Sequence, residues 1–85
     1  MVQETLHLIG QDKIGAAFVQ LQNFVESLGE PGREFTDDLT LLSSRFKRLQ
    51  RKVGQGIIDH EQADVENNKI RKSLLELANE VRSLE

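Results

Sequence analysis

Apolar residues recur along this chain at alternating steps of three and four. The pattern is clearest in two long runs either side of Gly54-Gln55-Gly56. In the first run Phe35, Leu39, Leu42, Phe46, Leu49 and Val53 share this spacing. In the second it is carried by Ala63, Asn67, Ile70, Leu74, Leu77, Val81 and Leu84. Such spacing keeps one apolar stripe on one face of a helix. Two such helices around a glycine break predict an antiparallel hairpin. With the turn centred near Gly56, Phe46 should lie level with Asn67, Leu42 with Ile70 and Leu39 with Leu74. The same register places Arg45 beside Glu66, an opposite-charge pair flanking the seam.

Upstream, Val2, Leu6 and Ile9 are spaced for a short first helix, broken at Gly10-Gln11. Asp12 is placed to cap a second helix running from Lys13 to Leu28. The apolar face of that helix is Ile14, Ala17, Phe18, Leu21, Phe24, Val25 and Leu28. Gly15 weakens it by up to ~1 kcal/mol relative to Ala, unless close packing against the first helix requires a missing side chain. Gly29-Glu30-Pro31-Gly32 is turn chemistry. The third helix should start near Thr36, with Asp37 and Asp38 in its first turn complementing the helix dipole. Gly54 and Gly56 should end it. Asp59, with Gln62 three residues on, reads as the cap of a fourth helix that continues to the C-terminus. Ile58 is placed to staple onto Ala63. The fold class expected is all-α: one four-helix bundle over residues 1–85, with a short first helix and a long C-terminal hairpin.

Composition narrows the function classes. The chain has 85 residues, 38% apolar and 29% charged, an ordinary globular mixture. No apolar run approaches the ~20 residues of a membrane span. Residues Met1 to Glu4 show no secretory pattern, and there is no cysteine, so a cytoplasmic setting is expected. A net charge of −3 argues against a general nucleic-acid binder, which is usually basic. No cofactor is expected.

Candidate chemistry is sparse. His7 and His60 fall on separate helices without metal-ligand spacing. Ser43-Ser44 lies within a helix, with no nearby histidine or glycine elbow. Gly54-Gln55-Gly56 lacks the residues of a phosphate loop. No catalytic set can be nominated, so a non-enzymatic protein is expected. Two charged groups remain. Arg45, Lys47, Arg48, Arg51 and Lys52 crowd the end of the third helix, with Arg48 and Arg51 pointing away from the seam. Glu61, Asp64 and Glu66 lie at the start of the fourth. These groups suit a solvated surface that complements the helix dipoles, or a two-sided surface that stacks on a protein. Lys47, Arg48, Arg51, Lys52, Glu61 and Asp64 are therefore the candidate interface. Arg45, Glu66, Asn67, Gly56 and Asp59 are assigned structural roles. Asn67, the polar interruption of the seam, either fixes register or reaches water near the hairpin's open end.

Three segments carry a further signal. They are Leu41-Leu42-Ser43-Ser44-Arg45-Phe46-Lys47-Arg48-Leu49, then Gly56-Ile57-Ile58-Asp59, then Glu66-Asn67-Asn68-Lys69-Ile70-Arg71-Lys72-Ser73-Leu74-Leu75-Glu76-Leu77. Together they resemble the bacterial effector-associated domains, within them the subtype numbered eleven. Leu8 to Ile14 with Ala17 is similar to the family's opening. Asp59 stands where Ser or Thr is commoner, Ala63 where an aromatic is frequent, which thins the packing beside the turn, and Lys69 where Arg is usual. The resemblance implies a death-like adaptor that pairs with like domains. It would join sensors to effectors such as proteases or TIR modules in bacterial conflict, antiphage defence or programmed cell death, with homo-oligomers among its products. Neither a membrane nor a nucleic acid is expected as partner, from the apolar runs and the net charge. Two other readings stand beside the adaptor: a structural hairpin that only dimerises a longer protein, and a nucleic-acid-binding regulator. Salt-sensitive association separates the first reading from the second, and a gel shift tests the third.

Overall fold

The computed structural model describes residues 2–84, without the side chain of Val2, so that residue's expected place on the first helix face lies outside it. Among the described residues the chain forms four α-helices and no strand. They are α1 (Val2–Gly10), α2 (Ile14–Ser27), α3 (Arg33–Gly54) and α4 (His60–Arg82), with a 3-10 turn at Glu30–Gly32 leading into α3. The all-α bundle and its long C-terminal hairpin are as the periodicity predicts.

The apolar stripes of the four helices meet in one core. Ile14, Ala17, Phe18, Leu21 and Val25 of α2 face Phe35, Leu39, Leu42 and Leu49 of α3 and Ile70, Leu74, Leu77, Ala78 and Val81 of α4. Leu21, Leu74 and Val81 are fully enclosed. Burying a side chain of that size contributes about 1.5–3 kcal/mol. Phe18 and Phe46 bring their ring centroids to 5.6 Å, tying α2 to α3. Ile9 carries α1 into the same core, and Thr5 beside it is wholly buried.

The seam fades at both ends. Val53 is 42% exposed, and Leu84 lies past the end of α4 and is 38% exposed. The reason at the turn is length. At 1.5 Å per residue α3 is about 33 Å long and α2 only about 21 Å. The shorter pair cannot cover the longer one, so the turn end of the hairpin projects. The molecule measures 40 × 22 × 16 Å, and its radius of gyration of 13.2 Å exceeds the ~12 Å of a compact domain this size.

Several local expectations are corrected. Asp12 does not cap α2. Lys13 occupies the cap position without a side-chain bond, while Asp12 adopts φ 63° and turns its carboxylate toward Arg71 of α4, at 3.6 Å. Asp is one of the few residues that tolerates this left-handed backbone. The third helix begins at Arg33, because the turn at Glu30–Gly32 runs straight into it. Asp37 and Asp38 therefore fall in the second turn, and Glu34 is the first-turn acid. Gly15 is not required by α1, since a Cβ there would find only Phe46 at an ordinary 3.8 Å. Gly32 is required: a Cβ would drive into the Val25 carbonyl and sit 3.1 Å from Leu28 Cβ. Ile58 packs toward the core, lining a groove with Leu49 and Ile70, and Ala63 lines a hollow with Phe46, Leu49 and Val53.

Candidate protein interface

The turn end is built by short-range chemistry. Gln55 and Gly56 close α3 through backbone bonds to Arg51 and Val53, and Gly56 takes φ 70°. Asp59 then caps α4, its Oδ1 accepting the Gln62 N–H at 2.8 Å. These contacts hold the projecting tip where the core does not. Ile57, 68% exposed, and Val65 line a hollow at this tip with Lys52, Asp59, Glu61 and Glu66.

The basic residues in the C-terminal half of α3, Arg45, Lys47, Arg48, Arg51 and Lys52, are all exposed. They do not form one patch. Arg45, Arg48 and Lys52 line a groove between α3 and α4 whose floor is Leu49, Ile58 and Ile70. Lys47 and Arg51 lie further round the helix, by their spacing. The acids also separate. Glu61 lines the tip hollow, while Asp64 lines a hollow of about 500 Å³ on the side facing α2, with Asp12, Phe46, Val53, His60 and Ala63. Ala63, small where an aromatic would fill, leaves that hollow open. Asn67 lines it too and is half-buried. It reaches solvent, but from the turn half of the hairpin and not the open end.

Glu66 shares the groove with Arg45 as the register requires. Its ion pair is nevertheless with Lys69, at 3.5 Å on its own helix. Arg45 makes no ion pair within 4 Å among the described residues. The i,i+3 partner is already in place, and reaching across the groove would order two long side chains for little gain.

Ser44 donates its hydroxyl to the Thr40 carbonyl at 2.9 Å, an ordinary back-bond along a helix. Among the described residues no three His, Asp or Glu side chains gather as metal ligands do, and no helix is long and apolar enough to cross a membrane.

The chain matches a family description across nearly its whole length: that of effector-associated domain 11, over residues 1–82. The chain belongs to that family. No curated protein and no solved structure matches it. Effector-associated domains go with effector modules, and the family and the small helical fold both point to a non-catalytic domain. The sequence shows Leu41 within a family segment but assigns it no role. It falls outside the seam, which is why the core pattern passes over it, yet it is 65% exposed and lines a hollow on the outer side of the α3–α4 pair.

Proposed function

We propose that this effector-associated domain is a non-enzymatic adaptor that binds like domains and so joins a sensor to an effector, such as a protease or TIR module, in bacterial conflict, antiphage defence or programmed cell death. It works in the cytoplasm, as one folded unit over residues 1–85. Family membership supports the adaptor role. The observation that carries the homotypic part is the distribution of charge. A chain of net charge −3 crowds five cations, all exposed, into the C-terminal half of α3 with no acid among them, while acids gather in the first half of that helix and on α4. Complementary regions on one surface let copies attract each other without any other partner.

The test is association of the purified domain with itself and with other effector-associated domains. Arg48→Glu with Arg51→Glu should weaken both in light scattering and pull-down, while circular dichroism stays unchanged. Undiminished association would remove these cations from the contact. A second reading draws on the apolar tip: with Val53, Ile57 and Val65 exposed, the hairpin could be a dimerising element of a larger protein. That contact would be insensitive to salt, whereas the adaptor contact weakens as salt rises.

A further inference from the structure

The outer side of α3 carries a second stripe, distinct from the core seam. Glu34, Asp38, Leu41, Arg45, Arg48 and Lys52 follow one another at steps of four, three, four, three and four, so they lie along one face. All six are exposed. Along this face the charge changes sign once: two acids, one leucine, three bases. Leu41 stands at the change, beside a hollow lined by Asp38, Leu42, Arg45, Leu77, Glu76 and Glu80. The acidic end is thus reinforced by Glu76 and Glu80 of α4. On the basic half the neighbouring acid, Glu66, is already paired with Lys69. Among the described residues none of the five charged members of the stripe is in an ion pair.

We infer that this face binds a second copy of the chain, antiparallel, with the two Leu41 side chains meeting on a two-fold axis. The inference rests on the homotypic reading above and names the surface and symmetry through which it acts. In a two-fold contact, residues equally far before and after the axis face each other. Glu34, seven residues before Leu41, meets the partner copy's Arg48, seven after. Asp38, three before, meets Arg45, four after. Each contact occurs twice. An acid-to-base gradient centred on an exposed leucine is complementary to its own reverse, which a surface evolved for an unrelated partner has no reason to be. The hollow floored by Leu42 and Leu77 gives each Leu41 an apolar seat. One helix laid on one helix lies at the small end of specific interfaces, below about 1,200 Å² of total buried surface, so the dimer is a transient one.

Sedimentation velocity over a concentration series tests this with four proteins. The unaltered chain should self-associate reversibly. Asp38→Arg alone and Arg45→Asp alone each oppose like charges twice, and each should raise the dissociation constant about tenfold or more. Mixed together, these two variants recreate both opposite-charge contacts, so the mixture should associate where neither does alone. Leu41→Glu should abolish association in every background. All three positions are exposed, and circular dichroism will show the helices retained.

If the mixture is no better than its components, or Leu41→Glu associates normally, this face is not the contact. Should Arg51→Glu then still weaken association, the homotypic reading survives on another face. An unaltered chain that stays monomeric throughout overturns the inference and the homotypic reading together.

Discussion

The two ends of the α3–α4 hairpin are made of similar sequence and held in different ways. In the covered half, Leu39, Leu42, Leu74 and Ala78 are closed in by α1 and α2. In the projecting half, Val53, Ile57 and Val65 stand in solvent although the same heptad spacing runs through Val53. Burial holds the first; a glycine turn and one carboxylate cap hold the second. A seam therefore becomes a core only where something covers it. Where nothing does, it leaves exposed side chains for other molecules.

Truncation should separate the halves most sharply. Leu74→Ala, in the fully enclosed part, should cost about 2–5 kcal/mol in urea unfolding. Val65→Ala, at the tip, should stay within about 0.5 kcal/mol. Comparable losses would mean that the tip is as tightly held as the core. Gly32→Ala comes next, at about 1–3 kcal/mol, because its methyl group would force α2 and α3 apart at the Val25 carbonyl.

Asp59→Ala should then cost about 1 kcal/mol. Its loss should show in faster amide exchange at the first turn of α4, with the Ile70 to Val81 stretch little changed. Ala63→Phe should act in the opposite direction. By filling the hollow against Phe46 and Val53 it should stabilise the tip by about 1 kcal/mol, visible as a raised urea midpoint. Smallest is Gly15→Ala, which has room for its methyl group and should gain about 0.5 kcal/mol, less than a mid-helix change because α2 has only just begun.

The fold was largely legible in the chain because a heptad seam is a strong and redundant signal, and because glycine breaks it only once between α3 and α4. What escaped depended on neighbours distant in sequence. Asp12 has the chemistry of a cap, but Arg71, 59 residues away, draws it elsewhere. The early start of α3 depends on Gly32 nesting against α2. At the candidate interface the charged residues were visible, and helical spacing alone set Arg48 and Arg51 together, away from the seam. Arg48 joins Arg45 and Lys52 only when α4 is laid alongside. Leu41 carried no assigned role for a related reason: an apolar residue off the seam has no meaning until the surface around it is known.

The most direct measurement is the sedimentation behaviour of the unaltered domain at low and at high salt. A charge-guided contact between copies predicts reversible, concentration-dependent association at low ionic strength that weakens markedly as the Debye length shrinks. A chain that remains monomeric at every concentration, or one whose association is indifferent to salt, would contradict it.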